Sequence, residues 1–264
     1  MDRNEILEKI KEAGVVGAGG AGFPAHIKLD SVADVVIANG AECEPLLRTD
    51  RLLMEHYPEK IMLGMKAAMD ATGAKRGVIA LKAQFEKAVK SLESVLYPNM
   101  ELYLMDSFYP AGDEQEIVYE VTGKVVPTGG IPIDVGAVTQ NVATLINIAD
   151  ALDGVSVHEK HVTVTGEVSD PAVYRVPVGT PLINLIEAAQ GPENLSDYKI
   201  ILGGPMMGAI VDGNSSEVVE KTLGAIIILR ADHKLIANKS GSLENEIRLA
   251  MSVCCQCNYC TQLC

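Results

Sequence analysis

Cys254, Cys257, Cys260 and Cys264 are spaced C-x2-C-x2-C-x3-C near the end of the sequence. Thiolates so spaced are the ligand run of a ferredoxin-type [4Fe-4S] site. The first three converge on one cubane, and the fourth serves the other cluster in two-cluster proteins. The first three lack their distant fourth ligand and Cys264 lacks its companions, so the sequence is expected to be a piece of a longer chain that by itself holds no complete cluster. Zinc is the competing occupant, but its usual C-x2-C pairs stand far apart in sequence, and here the spacing is unbroken. Cys255 falls off the spacing and reads as a bystander. Only Cys43 lies outside this cluster, which argues against a disulfide framework and marks Cys43 as a small core residue.

A second chemical signal is GAGGAG, residues 17–22, which satisfies G-x-G-x-x-G through Gly17, Gly19 and Gly22, with Glu42 following twenty residues after Gly22. The ordinary dinucleotide fingerprint needs a strand before the loop and a helix opening within it. Here a helical pattern precedes and Phe23-Pro24 follows, so that reading fails. The physics of the loop survives: residues without side chains let backbone N–H groups approach a phosphate or a flat ring. A purely structural glycine turn is the plain alternative. The five histidines show no ligand or triad spacing, and His158 and His161 read as surface residues.

The elements that position these residues follow from periodicity. Ile6, Leu7 and Ile10 mark an opening amphipathic helix that Gly14 stops. VVIAN (35–39), GVIALK (77–82) and ELYLMD (101–106) read as buried strands, with helical patterns at 51–71, 85–96, 114–121 and 141–152. Strands alternating with helices imply βαβ units on a mainly parallel sheet. After residue 153 the pattern changes. HVTVTGEV alternates, VYRVPVG is its hairpin partner, 180–189 is a helix and KIILGG a further strand, which suggests a small β-grasp unit. GGPMMG (203–208) reads as a tight turn with methionines filling the core. AIIILRA is another strand, and a helix over 243–251 delivers the cysteines. The expected division is 1–153, 154–215 and 216–264.

With 35 acidic against 22 basic residues, the net charge of −13 would repel a phosphate backbone, and nucleic acid is a poor partner. At 48% apolar the 264-residue chain can build real cores. MDRNEILEKI is no secretory signal and no stretch approaches membrane-spanning length, so a cytoplasmic setting without direct membrane insertion is expected.

Taken together, GAGGAGFPAHIKL (17–29), NGAECEPLLRTDRLLM (39–54), YPAGDEQ (109–115) and QNVAT (140–144) resemble the flavin-binding subunit of respiratory complex I and its relatives. Among these relatives are the RnfC component of the Rnf complex and the cobalamin reductase of propanediol-utilisation microcompartments. VTVTGEV, VPVGTPLINLI and LGGPMMG are similar to that family's soluble-ligand-binding β-grasp domain. The resemblance implies an α/β FMN- and NADH-binding domain, then the β-grasp domain, then the start of a helical iron-sulfur domain. It implies noncovalent FMN with NADH stacked on its ring. Gly17, Gly19, Gly20 and Gly22 would line both, Phe23 would pack near the adenine, and Lys28 would reach flavin oxygen or phosphate. Asn39 would meet the isoalloxazine edge, and Glu42, Glu44 and Glu114 would contact NADH, so that losing Glu44 weakens NADH binding more than flavin binding. Asn141 and Thr144, at a helix mouth, would hold the flavin phosphate.

In that reading the chain is an NADH-oxidising electron-transfer flavoprotein that passes electrons to [4Fe-4S] clusters and then to a redox partner or a membrane electron-transport complex. The resemblance is compatible with a place peripheral to such a complex or inside a microcompartment. No side chain is required as a general acid or base. The complex I loop carries Arg where this chain has Ala18, which bears on the phosphate contacts. A ligand-binding or docking module for a corrinoid with a vestigial flavin site is the rival function, and a zinc-stabilised adaptor the third.

Overall fold

The computed structural model describes residues 1–258. The chain opens with α1 (Arg3–Glu12), whose first turn is capped by the Asp2 carboxylate, and the short α2 (Ala25–Leu29). It then alternates through β1 (Val35–Gly40), α3 (Thr49–His56), α4 (Pro58–Thr72), β2 (Arg76–Lys82), α5 (Glu86–Glu93), β3 (Met100–Met105), α6 (Glu114–Thr122), β4 (Ala137–Asn141) and α7 (Val142–Leu152). The four strands are parallel in the order β3-β2-β1-β4. Val36 and Ala38 of β1 face a large core built with α4 and α7, while Val35 and Ile37 face a smaller one under α6. Covering both faces is what a parallel sheet requires, and it explains why β1 and β2 read as continuous apolar runs.

Two local differences from the sequence reading have physical reasons. The helix expected over 51–71 is two helices, because Pro58 lacks the N–H that would continue α3 and Tyr57 before it sits at φ −128°, ψ 38°. And β4 was not expected: its five residues, AVTQN, include two buried polar side chains, Thr139 and Gln140, that do not read as a core strand.

A second sheet follows. It contains β5 (Glu159–Gly166), β6 (Ala172–Pro177), β7 (Tyr198–Leu202), β8 (Ala209–Asp212) and β9 (Ala225–Arg230), with α8 (Leu182–Ala188) between β6 and β7. Its order is β6-β5-β9-β7-β8, so β9, which belongs to the segment 216–264, takes the central place. Ile226 and Ile228 pack toward α8, and Ile227 packs with Ile236 of α9 (Lys234–Lys239) on the other face, as a strand buried on both sides must. α10 (Leu243–Val253) then runs with no buried residue. No described helix is long and apolar enough to cross a membrane.

Candidate functional site

In an open parallel sheet, ligands bind beyond the carboxyl ends of the strands where the strand order reverses. Here β2 and β3 lie to one side of β1 and β4 to the other, so the reversal falls between β1 and β4. Asn39 pairs with Asn141 at that end of the ladder, and several of the expected site residues lie near it.

The glycine turn reaches this place from before β1, where a dinucleotide fingerprint would come after it. Gly17 N–H donates to Phe23 O at 2.8 Å and Gly22 N–H to Gly17 O at 3.2 Å, closing the turn on itself. Its floor is Ala18, whose N–H donates to Thr144 Oγ1 at 2.9 Å. A Cβ on Gly19 would stand 3.3 Å from Asn141 Cβ, so the turn lies directly on the N-terminus of α7. Gly20 has φ +127° and no heavy atom within 4 Å of where a Cβ would stand. The outer face of the turn is bare, exposed backbone. Phe23, half exposed, flanks it.

Asn141 shapes the helix mouth. Its Oδ1 accepts from Ala143 N–H at 2.9 Å, and its Nδ2 donates to Asp50 Oδ2 at 2.7 Å. Burial pushes the Asp50 carboxyl up, against the lowering influence of the Asn141 hydrogen bond and the Lys160 ammonium. Glu42, at φ +40°, turns its carboxylate back onto the start of α3 and accepts from Asp50 N–H at 2.7 Å. On the other flank, Lys28 Nζ donates to Glu114 Oε1 at 2.6 Å and to Thr139 Oγ1 at 3.0 Å. Asn39 Nδ2 donates to Gly112 O at 2.8 Å, while Gly112 N–H donates to Cys43 Sγ at 2.6 Å. Cys43 is thus half-buried in this polar loop contact, and burial pushes its thiol up.

Glu44 departs from this cluster. Its carboxylate accepts from the N–H groups of Met206 at 2.9 Å and Met207 at 2.7 Å, in the turn beyond β7. That turn is tight as expected, with Gly208 N–H donating to Gly204 O at 2.8 Å. Its methionines do not fill the core, however: Met207 is 80% exposed. The turn spends its backbone donors on Glu44 and leaves its side chains outside. His161 also departs from expectation: it is half-buried against Tyr57, with ring centroids 5.8 Å apart.

Burial, and then the Asp50 carboxylate, push Glu42 up to about 7. A carboxyl whose folded pKa is raised favours the folded state in its protonated form. Its stabilisation is fully present below the ordinary carboxylate range and is lost as pH rises through about 7. Glu42→Gln, a permanent stand-in for the neutral acid, should therefore flatten the pH dependence of the melting temperature between roughly pH 5 and 8. At pH 8 it should be more stable than the wild type, by on the order of 2 kcal/mol. Parallel melting curves for the two proteins across that range would show that Glu42 is not held neutral.

Sequence reasoning missed Asp50 and Lys160. Asp50 lies inside the quoted NGAECEPLLRTDRLLM stretch but had no assigned task. Lys160 carried a readable signal: it shares strand parity with Val162 and Val164, so it must sit on the buried face of β5. Its Nζ donates to Ala18 O at 2.9 Å.

The residues present fit a phosphate-bearing planar cofactor. Gly20 is open on its outer side, and the exposed backbone of the turn beside the N-terminus of α7 leaves room for a phosphate. Asn141 lies against the turn, Asn39 pairs with it across the ladder and Lys28 is held on Thr139, two residues before Asn141, each already oriented by protein partners. Among the described residues no three His, Cys, Asp or Glu side chains group as a metal site. Of the cysteine run, Cys254 and Cys257 follow α10 and are exposed, and Cys260 and Cys264 lie outside the described residues.

A four-stranded parallel sheet with its switch point between β1 and β4, followed by a second, five-stranded sheet, defines an α/β fold. Residues 10–150 match the Nuo51 FMN-binding domain and residues 161–209 the SLBB domain, and the chain belongs to this FMN-binding family. It is 39% identical to the cobalamin reductase PduS of Citrobacter freundii, over all of this chain and 58% of that protein. It is 33% identical to a component of the Na(+)-translocating ferredoxin:NAD(+) oxidoreductase complex of Acetobacterium woodii, over 89% of this chain and 55% of that component. The chain thus spans little more than half the length of these relatives. An NAD+-reducing [NiFe]-hydrogenase shares the fold, with a TM-score of 0.75 at 24% identity over 88% of this chain and 47% of the hydrogenase chain.

Proposed function

We propose that this chain is the NADH- and FMN-binding part of an electron-transfer oxidoreductase, whose electrons pass to [4Fe-4S] clusters held in part by the cysteine run and from there to a partner protein or membrane complex. The observation that carries this reading is the bare glycine turn lying on the N-terminus of α7 at the switch point of the sheet. The names of the relatives support it, one a reductase and another part of a ferredoxin:NAD(+) oxidoreductase complex. Bound FMN supplies the conversion between the two-electron chemistry of NADH and single-electron transfer.

The protein's own tasks are to bind and to orient. The exposed amides of the turn and the positive end of α7 favour a phosphate. Lys28 adds a point charge whose present partner, Glu114, is half exposed and can yield it. Asn39, whose Nδ2 donates to Gly112 O and whose Oδ1 accepts from Ala41 N–H, would offer its remaining amide hydrogen and lone pair to the edge of a flat ring. Glu114 would contact the dinucleotide once freed from Lys28, and Glu42 only by leaving the Asp50 amide. Glu44 can make such a contact only by leaving the Met206 and Met207 amides.

The test is to load the purified protein with FMN without oxygen, remove the excess and follow the retained flavin's absorbance on adding NADH, with NADPH as control. Retention and bleaching by NADH are expected. A protein that keeps no FMN would overturn the proposal and turn attention to the β-grasp sheet as a corrinoid or other small-ligand module.

A further inference from the structure

Lys160 is a buried lysine on the inner face of the second sheet, 7% exposed, and its ammonium crosses the boundary to the first unit. Taking an ammonium out of water costs several kcal/mol in effect, and a methionine of similar length would fill the position without that cost. Burial holds Lys160 down to about 8, with the Asp50 carboxylate opposing. So the charge has a local task, and the hydrogen-bond pattern shows which. Nζ donates to Ala18 O at 2.9 Å, while the Ala18 N–H donates to the fully buried Thr144 Oγ1 at 2.9 Å. The floor of the glycine turn is thereby gripped from both domains, by its carbonyl from β5 and by its amide from α7.

The consequence follows from the trans peptide. The carbonyl of one residue and the N–H of the next lie in one plane and point in opposite directions. An Ala18 carbonyl drawn inward to Lys160 therefore turns the Gly19 N–H outward, to the exposed side of the turn. Gly19 brings no side chain to resist a flip of the Ala18–Gly19 peptide, so without an anchor this amide could face either way. Other contacts hold the two units together: Lys221 Nζ donates to Gly14 O at 2.7 Å, and Thr163 Oγ1 lies 2.9 Å from Thr49 Oγ1. Only Lys160 among these acts on the turn's own floor.

We propose that Lys160 is a positioning residue of the flavin site, contributed by the second domain: by holding the Ala18 carbonyl it aims the Gly19 amide at the cofactor phosphate and so ties FMN affinity to the docking of the β-grasp unit. This rests on the turn being the FMN phosphate loop, as proposed above. It predicts an effect confined to the phosphate, which a general loss of structure would not produce.

The experiment is an equilibrium titration by flavin fluorescence of the wild type, Lys160→Met and Lys160→Arg, each with FMN and with riboflavin, which lacks the phosphate. Lys160→Met should lose about tenfold or more in FMN affinity while riboflavin affinity stays within about twofold, and Lys160→Arg, which keeps a cationic donor, should recover most of the loss. If Lys160→Met does not fold, as judged by circular dichroism, Lys160→Gln takes its place in the comparison. An unchanged ratio of FMN to riboflavin affinity, or equal weakening of both, overturns the proposal. A wild type that binds no FMN overturns the flavoprotein reading itself, and is told apart because it appears before any substitution is made.

Discussion

Gly64→Ala is expected to lower the melting temperature by roughly 4–8 °C, the equivalent of about 2 kcal/mol for a protein of this size. Gly64 lies on α4 where it crosses α7, and a Cβ there would stand 1.9 Å from the carbonyl oxygen of Leu145 and 2.6 Å from its carbon. Both atoms belong to backbone, so no side chain can swing aside and the helices must part. Alanine would gain up to about 1 kcal/mol in helix propensity. Overpacking against an unyielding neighbour costs roughly 1–3 kcal/mol or more, so the loss outweighs the gain. Because α7 presents Asn141 and Thr144 to the glycine turn, FMN retention should fall as well. Leu63→Ala, next in sequence but exposed, is the control and should shift stability by no more than about 0.5 kcal/mol. A Gly64→Ala protein melting within about 2 °C of the wild type would mean that the two helices are not in close register.

The parallel sheet was legible because β1 and β2 are apolar on both faces, and each is followed by amphipathic helix. β4 was hidden for the reason that makes it useful. Thr139 and Gln140 are polar yet buried, and Thr139 spends its hydroxyl on Lys28, so the strand nearest the site reads least like a strand. The candidate cofactor residues came from the resemblance; Gly19, Asn39, Asn141 and Thr144 lie about the switch point, whereas Glu44 turns away to the Met206 and Met207 amides. What remained out of reach was non-local. Nothing near Glu44 tells that its partners are amides some 160 residues away, and nothing near Gly17 tells that a lysine of the second domain holds the next residue. Lys160 itself could have been found by strand parity, had the strand been started two residues earlier.

For the site, the largest effect is expected at Asn141, where the choice of substitution separates shape from charge. Asn141→Ala removes the cap of α7, worth about 1 kcal/mol, and strips the Asp50 carboxylate of its 2.7 Å hydrogen bond, which costs roughly another 1–3 kcal/mol. The turn would also lose the side chain that Gly19 rests on, and FMN affinity should fall by about tenfold or more. Asn141→Asp keeps an equally good cap. But it sets a second carboxylate against Asp50, and puts a negative charge at the mouth of the helix where a phosphate dianion is to be received. Like charges so close in a partly buried site repel by several kcal/mol at an effective dielectric near 20. FMN affinity should therefore fall further in Asn141→Asp than in Asn141→Ala, by about a hundredfold or more from the wild type. The better-capped helix would bind worse. That inversion is the signature of a phosphate at the N-terminus of α7. If the affinities for FMN instead follow the quality of the cap, with Asn141→Asp close to the wild type, the phosphate lies elsewhere and Asn141 serves only to begin the helix.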